Sequence, residues 1–233
     1  MNPSSLPCTP WPHDLQHSAR TALACLDLTS LNDADTEADI TTLCQRAQGR
    51  FGPVAAVCVW PRLAAFARAQ LPAHIPVAAV ANFPHGHTDV DVAVQDTLQI
   101  VRAGAQEVDV VLPYQALIAG DEAAVTRLLT AVRQACPTLV LKVILETGEL
   151  KTPALIERAS QLALQAGADF LKTSTGKTPV NATPDAARLM LGAIAADPVA
   201  KHRVGFKASG GIRTVQEAAV YLALTQQCLG AQA

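Results

Sequence analysis

Apolar runs alternate with stretches of helical periodicity along almost the whole of this chain. Val54-Ala-Ala-Val-Cys-Val-Trp60 and Pro76-Val-Ala-Ala-Val-Ala-Asn82 are near-continuous apolar runs, the pattern of strands covered on both faces. Further strands are predicted at 22–29, 107–112, 139–146, 169–172 and 204–207. Ile40, Leu43, Cys44 and Ala47 carry helical spacing, which Gly49 and Gly52-Pro53 bring to a stop. The same spacing predicts helices over 36–48, 62–70, 89–103, 121–135, 153–166, 184–196 and 214–224, with Pro153 at a first turn. Buried parallel strands separated by amphipathic helices are βαβ units, seven of them over residues 21–224. A doubly wound sheet and a (β/α)8 barrel both fit this alternation. Polar and ionisable residues recur at the ends of most strands, which favours the α/β TIM barrel. Residues 1–20 read as an arm carrying Pro3, Pro7, Pro10 and Pro12, then a short helix from His13 to Arg20. Residues 225–233 read as a truncated C-terminal end, so 1–233 is expected to be a single barrel domain without its eighth strand and last helix.

Composition narrows the function classes. Half the residues are apolar and 16% are charged, which supports a packed core. A net charge of −2 argues against nucleic acid or an anionic membrane as partner. No apolar stretch approaches the length of a membrane span, and the N-terminus lacks the basic segment and apolar run of a signal peptide. The six cysteines are scattered with no C-x-x-C pair and read as reduced thiols. A cytoplasmic protein is expected.

The candidate chemistry lies in the strands. All six lysines fall after residue 141, and Lys142, Lys172 and Lys207 each sit in or at the end of an apolar run. Solvation alone predicts scatter. Phe170 and Lys172 are two apart and share a strand face, as do Glu107, Asp109 and Val111. An amine on a core-facing surface is expected to have a lowered pKa, and a neutral amine can form a Schiff base with a carbonyl. Asp109 would need a cation or donor nearby to stay ionised. Lys207 shares a face with Gly205, whose open backbone could admit a long inward side chain. Structural ion pairs filling a barrel are the plainer explanation, but strand interiors rarely hold four charges for structure alone.

Two loops follow lysine-ended strands. Thr173-Ser-Thr-Gly-Lys-Thr178 and Ser209-Gly-Gly-Ile-Arg213 expose backbone N–H groups of the kind that cradle a phosphate. The first ends like a Walker A loop, but Leu171 stands where that motif needs glycine. His85 and His87 could supply two metal ligands without a matching third, so no metal is expected. Cys58 reads as packing, since no base accompanies it.

Taken together, Leu26-Asp-Leu-Thr29, Asn82-Phe-Pro-His-Gly86, Glu107-Val-Asp-Val-Val111, Leu141-Lys-Val-Ile-Leu-Glu-Thr-Gly-Glu-Leu150, Ala168-Asp-Phe-Leu-Lys-Thr-Ser-Thr-Gly-Lys177, Val180-Asn-Ala-Thr-Pro184 and Gly205-Phe-Lys-Ala-Ser-Gly-Gly-Ile-Arg-Thr214 resemble the deoxyribose-phosphate aldolase family. These are Schiff-base (class I) aldolases on a (β/α)8 barrel. The resemblance implies reversible cleavage of 2-deoxy-D-ribose 5-phosphate to acetaldehyde and D-glyceraldehyde 3-phosphate, in deoxyribonucleotide catabolism and without metal or organic cofactor. Its partners would be small sugar-phosphate and aldehyde substrates, with a homodimer left open. By the same resemblance Lys172 is the Schiff-base lysine and Lys207 the cation that depresses its pKa. Asp109 is the acid/base group working through a water, Lys142 a supporting residue, and Asp27 a carboxylate that holds Lys207. Thr175, Gly176, Lys177, Gly210 and Gly211 belong to the phosphate site.

The chain departs from the family at its end. Members continue with an eighth strand, a Gly-x-Ser-Ser-type phosphate loop, a last helix and a tail tyrosine, whereas this sequence stops at Leu229-Gly-Ala-Gln-Ala233. Two exposed strand edges are therefore expected. A transaldolase or other Schiff-base aldolase would share the lysine but not the whole motif set. A barrel retained only for binding has no reason to keep costly buried charges, and a metal-dependent aldolase would lose activity on chelation.

Overall fold

The computed structural model describes residues 15–230, so the proline-bearing arm and residues 231–233 lie outside the described residues. Seven parallel strands form one sheet: β1 (Asp27–Thr29), β2 (Ala56–Val59), β3 (Val77–Ala81), β4 (Glu107–Val111), β5 (Val140–Ile144), β6 (Phe170–Lys172) and β7 (Gly205–Lys207). Helices α1 (Leu15–Ala24), α2 (Glu37–Arg46), α3 (Pro61–Gln70), α4 (Val90–Arg102), α5 (Glu122–Ala135), α6 (Pro153–Gln165), α7 (Pro184–Ala196) and α8 (Val215–Leu229) accompany them.

The strands pair in sequence order from β1 to β7. A doubly wound sheet would reverse its order at a switch point, and this one does not. The sheet therefore curls in one sense. In a flat sheet β1 and β7 would be roughly 29 Å apart, at about 4.8 Å per strand. Instead Lys207 Nζ on β7 lies 3.1 Å from Asp27 Oδ2 on β1. The fold is a TIM-type half-barrel lacking the last unit, with β1 and β7 as its edges.

Alternation along each strand separates two environments. Val57, Val59, Val77, Ala79, Ala81, Val108, Val110, Leu141, Val143 and Leu171 are buried in the main apolar core with the helices. Cys58, Ala78 and Val80 form a separate small cluster with Leu31 on the concave side. Asp109 and Lys142 project there too, directly paired across β4 and β5.

Helix starts follow local sequence. Side chains of Thr36, Asp89, Asp121, Thr152, Thr183 and Thr214 each accept a hydrogen bond from a first-turn N–H, the usual role of a capping residue. Pro61, Pro153 and Pro184 occupy first-turn positions, where no N–H is missed.

The predicted boundaries that differ most from the structure lie near the two ends of the chain, where the first helix, expected to stop at Arg20, runs to Ala24. The strand expected over 139–146 stops short, at Ile144. Residues 22–24 are helical, and only Asp27–Thr29 of the expected strand 22–29 is extended. An apolar Ala-Leu-Ala-Cys run carries no period that separates strand from buried helix, and Ala and Leu favour the helix. The last helix runs on to Leu229, where a C-terminal end after residue 224 was expected, and Gly230 follows at φ +100°. The short helices Tyr114–Ile118 and Thr147–Leu150 and the ribbon pairing Gln48–Gly49 with Gly52–Pro53 were not anticipated. They are too short to show a period.

Candidate active site

The concave face of the sheet carries a chain of alternating charges. Lys172 Nζ lies 2.7 Å from Asp109 Oδ2, and Lys142 Nζ lies 3.1 Å from Asp109 Oδ1. Lys142 also meets Asp27 Oδ2 at 2.8 Å and Glu107 Oε2 at 2.5 Å. Asp27 in turn meets Lys207. Three cations face three carboxylates, so the cluster is neutral when all are ionised. The sheet register explains the meeting. Asp109 is paired with Lys142, Lys142 with Phe170, and Lys172 with Lys207, so one inward face collects every member.

The side chain of Asp109 is fully buried, and those of Lys142 and Lys172 nearly so. Burial works to raise the Asp109 carboxyl, but the two lysines outweigh it and hold the group well below the usual carboxylate range. Burial outweighs Lys142 at Glu107 and holds it above that range. At Lys142 burial loses to three carboxylates, and its pKa lies well above the ordinary lysine value.

Lys172 corrects an expectation. Its amine was expected to be depressed, with Lys207 as the cause. Burial does press it down, but Asp109 at 2.7 Å outweighs burial and the pKa lies above the ordinary value. Lys142 presses it down as well, and Lys207 Nζ lies 3.1 Å from Asp27 Oδ2. Sequence spacing could place the lysines on one face but not say which carboxylate each would reach. The room at Gly205 is likewise used differently. A β-carbon there would stand 2.2 Å from Phe170 Cε1, so the neighbouring strand's ring takes that space.

The cluster depends on its central cation. Replacing Lys142 with methionine leaves Asp27, Glu107 and Asp109 facing one another without it. Removing one partner of a buried ion pair typically costs about 3–5 kcal/mol. Lys142→Met should therefore lower the melting temperature by roughly 6–20 °C at this chain length. Thermal unfolding checks this, and an unchanged midpoint would show that the carboxylates do not rely on Lys142.

The two loops above the cluster differ. Thr175 donates its N–H and its hydroxyl to Glu146 Oε2, at 3.3 and 2.5 Å. Gly176 is exposed at φ +80°, and Lys177 Nζ donates to the Leu31 carbonyl at 2.6 Å. Gly210 and Gly211 both have positive φ, and among the described residues their N–H groups have no protein acceptor. Thr173 and Ser174 join the loops through Ser209, whose N–H donates to Thr173 Oγ1 at 2.9 Å and whose carbonyl accepts from Ser174 Oγ at 3.0 Å. Both loops therefore have backbone donors to spare, since among the described residues the Ser174, Gly176 and Thr178 N–H groups of the first also have no protein acceptor.

Cys58 lies inside the half-barrel, and burial pushes its thiol up to about 12, which leaves it without nucleophilic thiolate near neutrality. The His85 and His87 rings stand 5.4 Å apart. Among the described residues no group of three or more His, Cys, Asp or Glu could hold a metal ion, and no helix is long and apolar enough to cross a membrane. Glu107 and Glu146 were not singled out from sequence. Glu107 shares its face with Asp109, and Glu146 falls on the Lys142 face of the strand read over 139–146, so each carried a usable signal.

Residues 21–230 match the DeoC/LacD family of aldolases. Among solved structures, a protein assigned as a deoxyribose-phosphate aldolase from Coccidioides immitis is 32% identical, with TM-score 0.82 over 93% of this chain and 82% of that one. One so assigned from Toxoplasma gondii is 26% identical, with TM-score 0.85 over 93% and 86%. The deoxyribose phosphate aldolase of Aeropyrum pernix, described as tetrameric, is 26% identical, with TM-score 0.74 over 90% and 88%. Motif order, strand order and the family match agree: this chain belongs to the DeoC/LacD family of aldolases and is an aldolase, a carbon–carbon lyase.

Proposed function

We propose that this aldolase reversibly cleaves 2-deoxy-D-ribose 5-phosphate to acetaldehyde and D-glyceraldehyde 3-phosphate through a Schiff base on Lys172. The observation that carries the reading is the buried contact of 2.7 Å between Lys172 Nζ and Asp109 Oδ2. A lysine is a nucleophile only after losing a proton, and Asp109 stands where that proton must go. The similar structures named as deoxyribose-phosphate aldolases support the choice of substrate.

Each step then has a group to perform it. Lys172 gives a proton to Asp109 and attacks the C1 aldehyde of the open-chain sugar. Asp109, now an acid, returns the proton as the carbinolamine loses water to form the protonated imine. Asp109, a carboxylate again, takes the C3 hydroxyl proton through a water as C2–C3 breaks, which releases the aldehyde bearing the phosphate and leaves the C2 electrons in an enamine. Asp109 returns that proton to C2, and attack of water on the resulting imine releases acetaldehyde and restores the amine. Lys142 keeps a positive charge beside Asp109 throughout, which favours the ionised base. Lys207 and Asp27 border the same space from β7 and β1. The phosphate would use the spare N–H groups at Gly210 and Gly211, with Lys177 turning from Leu31 to the dianion. Thr175 and Gly176 shape the loop that carries Lys177. No cofactor is needed for this sequence of steps.

Borohydride reduction with acetaldehyde should add one ethyl group, found on Lys172 by peptide mapping. An adduct on Lys142 or Lys207 would name a different nucleophile.

The raised Lys172 pKa adds a pH test. The amine is protonated through neutrality, so its neutral fraction grows about tenfold per unit until pH passes its pKa. The initial rate of imine formation with acetaldehyde should rise steadily from about pH 6 to 9. A plateau below about pH 8 would place the amine lower than its Asp109 contact implies.

A further inference from the structure

Glu146 follows β5 and is fully buried, yet among the described residues it forms no ion pair with a lysine or arginine. Its backbone is left-handed, at φ 55° and ψ 59°, a conformation that costs a non-glycine residue energy. Its partners all come from the loop after Lys172. Oε2 accepts from the Thr175 N–H at 3.3 Å and the Thr175 hydroxyl at 2.5 Å, and the Thr178 hydroxyl shares its one proton between Oε1 and the Val180 carbonyl, each at 3.1 Å. The adjoining backbone repeats the link. Leu145 N–H donates to the Lys172 carbonyl at 2.9 Å and Thr147 N–H to the Thr173 carbonyl at 3.0 Å. At Gly148 a β-carbon would stand 2.2 Å from the Val180 carbonyl oxygen, so the turn after β5 lies directly on the loop after β6. At its other end that loop reaches β1's side of the half-barrel through Lys177 and Leu31.

Burial without a cation is costly for a carboxylate, and three hydrogen bonds to one loop are what it gains here. A loop merely resting on the barrel would not need them. We infer that Glu146 is a positioning residue that anchors residues 173–178, so that Lys177 can leave Leu31 for an anionic group on the substrate. The inference deepens the proposed function and rests on it: Glu146 sets the preference for a phosphorylated sugar without touching the sugar. Because Thr175 gives both of its donors to Glu146, the anchored loop addresses phosphate through Lys177 and not through Thr175.

The test compares wild type with Glu146→Gln and Thr178→Val, assayed with deoxyribose 5-phosphate and with deoxyribose. The glutamine keeps the volume but offers one acceptor oxygen where the carboxylate offers two. The valine removes one hydrogen bond from the loop side and serves if the first variant does not fold. In Glu146→Gln the KM for the phosphorylated sugar should rise tenfold or more. Its KM for deoxyribose and the acetaldehyde-dependent trapping rate at Lys172 should stay within threefold. Thr178→Val should move in the same direction by less. A ratio of the two KM values equal to wild type overturns the inference, whether both substrates suffer alike or neither does. Hydrogen exchange separates this outcome from failure of the parent reading. If wild type is not trapped by acetaldehyde, the Schiff-base reading fails. Faster exchange at the Thr175 and Lys177 amides in the variants, by tenfold or more, would still show the anchor, and unchanged exchange would remove it.

Discussion

Lys172→Arg is expected to abolish both the acetaldehyde-dependent borohydride adduct and aldol cleavage. Arginine keeps the positive charge beside Asp109 and can hold the carboxylate with two N–H groups, so the buried ion pair survives. A guanidinium does not deprotonate in a protein and cannot attack a carbonyl. The variant therefore separates the structural use of a cation at this position from its chemical use. Circular dichroism and thermal unfolding should show a folded protein, while turnover falls to the background of the assay. A folded Lys172→Arg protein that still cleaves deoxyribose 5-phosphate at an appreciable rate would remove Lys172 as the nucleophile.

Asp109→Asn is expected to act in two opposed directions. The carboxylate that holds the Lys172 amine above the ordinary value is gone, while burial and Lys142 still press the amine down. Imine formation with acetaldehyde should reach its plateau at lower pH than in wild type. Carbon–carbon cleavage should nevertheless slow by about 10²-fold or more, since asparagine cannot take up the proton, and general acid–base catalysis is usually worth that much. Substrate binding should change less than turnover. Single-turnover measurements of imine formation and cleavage across pH separate the two effects. Near wild-type turnover in a folded Asp109→Asn protein would remove Asp109 from the mechanism. An unshifted pH profile for imine formation would show that Asp109 does not control the Lys172 charge.

Much of this site could be read from the chain before any fold was known, because strand alternation has a period of two. Phe170 and Lys172, or Glu107 and Asp109, must share a face wherever their strand lies. Continuous apolar runs with a lysine at one end also showed that these charges belong to the interior. The seven sheet strands follow from those runs, whereas the side-chain caps at Thr36, Asp89, Asp121, Thr152, Thr183 and Thr214 became visible only in the structure. Ala22–Ala24 was misread as strand because a short apolar run has no distinguishing period.

Contacts between strands distant in sequence were decided only by the curl of the sheet. Asp27 and Lys142 are 115 residues apart, yet their charged atoms stand 2.8 Å apart. Asp109 and Lys172 are 63 residues apart and meet at 2.7 Å, and that contact leaves Lys172 protonated where local sequence suggested a neutral amine. Glu146 is the sharper case. Nothing in Leu-Glu-Thr-Gly announces a left-handed residue or a carboxylate turned onto the next loop. Sequence by itself determined which residues face the interior, since that depends only on neighbours along one strand. The tertiary structure decided which charges meet, because Coulomb and hydrogen-bond energies depend on distances that arise only when the strands are brought side by side.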